Sequence, residues 1–263
     1  MLAKRLIACF DIKNGMVTKA KGFQDNIDVA PASELAEKIY NDQIDELIFY
    51  DITASSDKRK IDIETVKDVA SRVFIPFTVG GGIKTLNDMY EVLKAGAEKI
   101  SVDSMAVRNP SIVTEGAKAF GSQCIVLSTQ VKWVGQSEKI PSGYEVAIDG
   151  ARVFTGMDAL EWIKRGQELG AGEICVNSID NDGGCAGYDL KITKLAAESV
   201  SVPVIASGGA GLPSHLFDLF SQTQAQAAII SSMLYSPRLE RNFSVEELKT
   251  YLAEKSVPVR PFF

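Results

Sequence analysis

The 263-residue chain repeats itself at one offset. VGGGIKTL (79–86) is similar to ASGGAGLP (206–213), and ELIFYDI (46–52) to EICVNSI (173–179), each pair 127 residues apart. ISVDSMAVRNP (100–110) is similar to IISSMLYSPRL (229–239), with Ser104-Met105 set against Ser232-Met233 near the same offset. Chance supplies one such match but hardly three in register, so the chain reads as two similar halves. Half of a sheet-based domain leaves open strand edges and an uncovered apolar face. The halves must close on each other.

Eight short, apolar, β-branched runs mark the strands: RLIACFDI (5–12), ELIFYDI (46–52), IPFTVGG (75–81), EKISVDS (98–104), QCIVLST (123–129), EICVNSI (173–179), VPVIASG (202–208) and QAAIISS (226–232). Most are too apolar to alternate, which suits strands covered on both faces. Amphipathic stretches such as ASELAEKIYND, LNDMYEVLKAGA and DALEWIKRGQELG lie between them. This alternation implies parallel βαβ units. Eight units fill the length, which predicts a single α/β domain over 1–263, a (β/α)8 TIM barrel. Its halves fall at about 1–120 and 121–258, with a short tail at 259–263; an open doubly wound sheet is the alternative. Two excursions stand out. WVGQSEKIPSGYEVAIDGARVFTG (133–156) predicts a hairpin within VGQSEKIPSGYEV, and KAKGFQDNIDVAP (19–31) reads as a polar, mobile loop.

The charge balance, 28 Lys+Arg against 34 Asp+Glu for a net −6, disfavours unspecific binding to nucleic acid or anionic membrane. No stretch approaches the roughly 20 apolar residues that span a bilayer. Asp11 comes too early for a signal-peptide core, and the chain reads as cytoplasmic. Cys9, Cys124, Cys175 and Cys185 show no CxxC spacing and read as reduced, the first three in apolar runs. His215 is the only histidine, too little for a zinc site or a Ser-His-Asp triad. No metal or other cofactor is expected.

In this fold the chemistry sits where strands end and loops begin. Those positions are Asp11, Asp51, Gly80-Gly81-Gly82, Asp103-Ser104, Gln130, Asn177 with Asp180 and Asp182, Ser207-Gly208-Gly209, and Ser231-Ser232. Glycine lets backbone N–H groups approach an anion. One Gly-Gly pair after a strand merely makes a tight turn. Two in register, each partnered by a Ser-bearing strand end, point to a ligand with a phosphate at either end. Asp11 closes an apolar strand, where a carboxylate is costly unless it binds or reacts, so it is the first general acid/base candidate.

Over about residues 1–258 the sequence resembles the HisF-type cyclase subunit of imidazole glycerol phosphate synthase. The segments that carry the resemblance are MLAKRLIACFDIKNG, DELIFYDITASSDKRK, IPFTVGGGIKT, AVRNPSIV, FGSQCIV, ELGAGEICVNSIDNDGG and VPVIASGGAG. The resemblance implies a lyase of histidine biosynthesis that works as a heterodimer. A HisH-type glutaminase would dock on the N-terminal barrel face, and its ammonia would pass down the barrel axis. At the C-terminal face that ammonia would convert a bisphosphorylated aminoimidazole-carboxamide ribulotide to imidazole glycerol phosphate and aminoimidazole carboxamide ribotide. Arg5, Glu46, Lys99 and Glu173 match a ring of charges that gates the N-terminal mouth. Lys19 matches a loop lysine that closes over substrate. Gly82 and Ser104 match one phosphate site, and Asp182, Gly183, Gly209, Ser231 and Ser232 lie at or near the other.

Two positions depart from the family pattern. Gln130 stands where the family has a second catalytic aspartate, and an amide does not exchange a proton near neutral pH. Asp103 stands where an asparagine is usual, putting a negative charge beside a phosphate site. A cyclase with Asp11 as acid/base and Gln130 as a positioning group is the first reading. A paralogue that activates a glutaminase and delivers ammonia to another amidotransferase, as in surface-sugar biosynthesis, is the second. A scaffold without catalysis is the third.

Overall fold

A computed structural model describes residues 2–21, 24–52, 61–237 and 239–262. The string TASSDKRK (53–60), which helps to carry the resemblance, lies outside them, as do Gly22 and Phe23. The strands are β1 (Arg5–Lys13), β2 (Met16–Lys21), β3 (Gln24–Pro31), β4 (Glu46–Asp51), β5 (Phe77–Gly80), β6 (Lys99–Val102), β7 (Ile125–Trp133), β8 (Tyr144–Ile148), β9 (Val153–Asp158), β10 (Glu173–Ser178), β11 (Val204–Ser207) and β12 (Ala227–Ile230). Eight of them pair in parallel in the order β1-β4-β5-β6-β7-β10-β11-β12, and β12 pairs with β1 to close the ring. The open-sheet alternative is excluded by that last pairing. All eight sequence-derived strands lie on the ring.

The helices are α1 (Ala32–Asn41), α2 (Ile63–Ala70), α3 (Leu86–Lys94), α4 (Ser104–Arg108), α5 (Ser111–Phe120), α6 (Ala159–Leu169), α7 (Leu190–Ser199), α8 (Pro213–Gln222), α9 (Ser232–Tyr235) and α10 (Val245–Glu254). Their starts are written in the sequence. Thr85 and Asp88 form a capping box on α3, Asp158 accepts from the amides of Leu160 and Glu161 at α6, and Ser244 with Glu247 boxes α10. His215 Nδ1 turns back to accept from the amides of Gly211 and Leu212, each at 3.2 Å, which makes it a local cap of α8. Among the described residues no helix is long and apolar enough to cross a membrane.

Alternate residues of each strand face in and out. On β1, Leu6, Ala8, Phe10 and Ile12 pack outward beneath the helices. Ile7 and Cys9 instead join Ile48, Val126, Cys175, Ile205, Ala227 and Ile229 in a separate interior core, with Tyr50 packed against it. The internal repeat survives as geometry. β4 starts at 46 and β10 at 173, β5 at 77 and β11 at 204, and the short helices α4 and α9 follow β6 and β12. Cys9 and Cys175 are buried free thiols, whereas Cys124 and Cys185 are half-buried.

Two expectations about the excursions need correction. The described residues of 19–31 lie in strands rather than a loop: β2 pairs antiparallel with β1 and β3 with β2. The cause is the Asn14-Gly15 turn, with φ of 51° and 75°, whose twist returns the chain along the strand it has just left. In the second excursion, β7 itself runs on to Trp133 and pairs with β8, which pairs with β9. The polar turn expected within VGQSEKIPSGYEV thus joins β7 to β8 across 134–143, its first strand being the end of β7 itself, and a second turn at 149–152 joins β8 to β9. In the tail, Val259 forms a parallel bridge with Lys4.

Candidate active site

β1 points Asp11 into the C-terminal mouth, and β2 folds back with Thr18 opposite Asp11, carrying Lys19 over it. Lys19 Nζ lies 3.6 Å from Asp11 Oδ2, donates to Ser231 Oγ and sits 5.4 Å from the centre of the Tyr235 ring. Lys19 is only 8% exposed. Burial opposes its charge, but Tyr235, Asp11 and Asp182 around it outweigh that and hold its pKa above the ordinary lysine range. Burial, reinforced by Asp11, pushes the Asp182 carboxyl above the usual carboxylate range. Tyr235, whose hydroxyl donates to the Cys9 carbonyl, forms the floor under the lysine.

The two Gly turns occupy equivalent places. Gly81 and Gly82 have φ of 85° and 71°, Gly208 and Gly209 of 92° and 102°. A Cβ on Gly81 would collide with the Asp51 carbonyl, and one on Gly209 with the Gly187 carbonyl. Backbone lies against backbone in both turns, and only glycine fits. β5 and β6 are neighbours, so Gly82 and Ser104 emerge side by side; β11 and β12 do the same for Gly209 and Ser232.

At the ends of β6 and β7 the site differs from its counterpart half. Asp103 caps α4, its Oδ1 accepting from the Ser104 amide, and its Oδ2 accepts from Gln130 Nε2 at 3.2 Å. Burial raises the Asp103 pKa, although the bonds from Ser104 and Gln130 work the other way. Among the described residues Asp103 has no lysine partner. Ser104 Oγ accepts from the Asp149 amide at 2.9 Å, which docks the β8–β9 turn onto α4. Gln130 Oε1 and Asn177 Oδ1 are buried without a hydrogen-bond partner.

The opposite mouth is closed by charge. Arg5 Nη1 meets Glu46 Oε1 at 2.6 Å and Glu173 Oε1 at 3.1 Å; Lys99 Nζ meets Glu46 Oε2 at 3.2 Å and Glu173 Oε1 at 2.9 Å. Each residue opens its strand, so the four converge at the N-terminal end. Two cations and two anions cancel, and each charge has two opposite neighbours, which makes their burial tolerable.

Thus Asp11, Lys19 and Gln130, on β1, β2 and β7, and Gly82, Asp103, Ser104, Asp182, Gly183, Gly209, Ser231 and Ser232, just past their strands, lie at the C-terminal end of the barrel, and Arg5, Glu46, Lys99 and Glu173 lie at the other end. Sequence reasoning missed Tyr235 and Asp149. Tyr235 carries a signal: it stands opposite Val107 in the repeat, a bulky aromatic where the first half has an aliphatic. Asp149 sits in an insertion outside the repeat and has none.

The family model described as histidine biosynthesis protein matches residues 5–240. The chain is 51% identical over 260 residues to the imidazole glycerol phosphate synthase subunit HisF of Desulfatibacillum aliphaticivorans, covering 99% of this chain and 98% of that protein. It is 52% identical to the HisF subunit of Syntrophobacter fumaroxidans and 47% to that of Desulfovibrio desulfuricans, each over 99% of both chains.

Proposed function

The chain belongs to the histidine biosynthesis protein family, and on that premise we infer that it acts as the HisF-type cyclase subunit of imidazole glycerol phosphate synthase. A HisH-type glutaminase supplies ammonia at the N-terminal face. The ribulotide binds at the C-terminal face, with one phosphate on the Gly82–Ser104 side and the other on the Gly209–Ser232 side. Lys19 and Asp11 stand between them, the lysine to hold substrate and the carboxylate to move protons. Cytoplasmic action and a bisphosphorylated small-molecule substrate are parts of the same reading.

The observation that carries it is the equipment of both ends of one barrel. A neutral ring of four charges spans the entry, and a lysine-paired carboxylate between twin Gly turns stands at the exit. The interior between them is lined by Ile7, Cys9, Ile48, Val126, Cys175 and Ile205. Such a lining favours neutral ammonia over ammonium, because desolvating an unpaired charge there costs far more than desolvating a neutral amine.

The ammonia-delivery reading draws on the two departures, the amide of Gln130 where an acid is expected and the carboxyl of Asp103 beside a phosphate site. An assay separates the two. The purified barrel is given the ribulotide with ammonium salt, then with glutamine and the glutaminase. The cyclase reading expects imidazole glycerol phosphate in both cases. Stimulated glutamine hydrolysis with no ribulotide turnover under saturating ammonium sinks it in favour of delivery.

A further inference from the structure

The two positions at which the chain departs from the family pattern touch each other. Gln130 Nε2 donates to Asp103 Oδ2 at 3.2 Å across the β6–β7 pair. Asp103 has no ion pair among the described residues. The charged groups that face it are Asp149, of like sign, and Arg108, which is committed to Asp149. Its hydrogen bonds come from neutral donors, Ser104 and the Gln130 side chain. A desolvated carboxyl held this way is poorly suited to a purely structural role, since a neutral asparagine would cap α4 as well without a buried charge. Gln130, with Nε2 spent on Asp103, keeps its buried Oε1 unpartnered. Asp11 lies three strands round the ring, on the facing side of the mouth.

We propose that Asp103 is the second proton-transferring carboxyl of this site, working across the mouth from Asp11, with Gln130 as the positioning residue that holds it. The proposal rests on the cyclase reading above. Adding ammonia to the ketone of a ribulotide forms a C–N bond while the C=O π pair moves to oxygen. The oxygen then takes a proton and the nitrogen releases one. Asp103 as the acid supplies the first, and Asp11 as the carboxylate accepts the second. When the hydroxyl leaves as water to give the imine, the roles reverse. Asp11 protonates the departing oxygen, Asp103 takes the next N–H proton, and both carboxyls return to their starting states. Raising of the Asp103 pKa by burial favours its acid form at the outset.

The test is ammonium-driven turnover of the ribulotide by wild type, Asp103→Asn, and Asp103→Asn combined with Gln130→Asp, with thermal melts confirming folding. Asp103→Asn is expected to lower kcat by about 10²–10⁴-fold with little change in KM, the usual contribution of a positioned acid/base. The double variant exchanges carboxylate and amide between the same two neighbours and is expected to recover to within about tenfold of wild type, roughly 1.4 kcal/mol in barrier. A structural cap is not rescued from the adjacent strand. Unchanged kcat in Asp103→Asn, an effect on KM alone, or a loss of kcat that the double variant does not restore each overturns the proposal. Wild type without turnover overturns the cyclase reading and this proposal together, and is told apart because it precedes any comparison of variants.

Discussion

Lys249 Nζ, buried on the last helix, donates to Asp45 Oδ1 at 2.7 Å and to the Gln43 carbonyl at 2.8 Å. Asp45 Oδ2 in turn accepts from the Leu6 amide at 2.8 Å. The lysine thus ties α10 to the first strand and to the turn before β4. Without the lysine the buried Asp45 keeps the exposed Arg260 at 3.6 Å as a weaker cation partner, and losing one member of a buried pair costs up to about 3–5 kcal/mol. Lys249→Met is expected to destabilise the barrel by up to that amount in urea melts. Adding Asp45→Asn should return part of the loss, because the stranded charge is then gone.

A second prediction concerns Asp103 and pH. Its folded pKa is raised, so its ionised form opposes folding. That opposition is fully present above the folded pKa and vanishes as pH falls to the ordinary aspartate range and below. Asp103→Asn is therefore expected to melt at a higher temperature than wild type at pH 7, with the gap closing toward pH 3. A gap that widens on acidification contradicts the assignment of burial as the cause. Stability gained by removing a reacting group is a familiar trade.

Lys19 makes charged contacts with Asp11 and Ser231. A charge-assisted hydrogen bond to an anionic substrate is worth about 1.5–3 kcal/mol. Lys19→Met should accordingly raise KM for the ribulotide by roughly 10–100-fold. Unchanged KM by initial-rate kinetics removes Lys19 from substrate binding.

The charged ring should matter for coupling rather than for chemistry. Arg5→Met leaves Glu46 and Glu173 with Lys99 alone. Glutamine-driven turnover is expected to fall about 5–150-fold relative to ammonium-driven turnover, the range of couplings between distinct sites. Equal loss in both assays indicates a structural defect instead.

The ring of eight strands was legible because each strand is covered on both faces, so its composition alone is distinctive; EICVNSI and QAAIISS need no neighbours to be recognised. The placement of Asp11 and of the two Gly turns followed from their being at strand ends. β2 and β3 were not legible from composition, because MVTKAK and QDNIDVAP are polar and carry few β-branched residues in succession; the Asn14-Gly15 turn was the usable clue. The partnership of Asp103 with Gln130 was out of reach for a different reason. The residues are 27 positions apart, and only the register of β6 on β7 brings them together.

The pairing of β1 with β12 sets an order of events in synthesis. Asp11 and Lys19 are made long before the Ser231 hydroxyl and the Tyr235 ring that surround the lysine, 212 residues separating Lys19 from Ser231. Val259, which bridges Lys4, and Lys249, which grips Asp45, come later still. A growing chain therefore exposes its reactive carboxylate long before the lysine beside it has a floor or an anchor. Contacts of such long sequence separation form slowly. The mouth stays incompetent until the final strand is seated, so a chain cut short before residue 227 has most of the barrel wall but no assembled site.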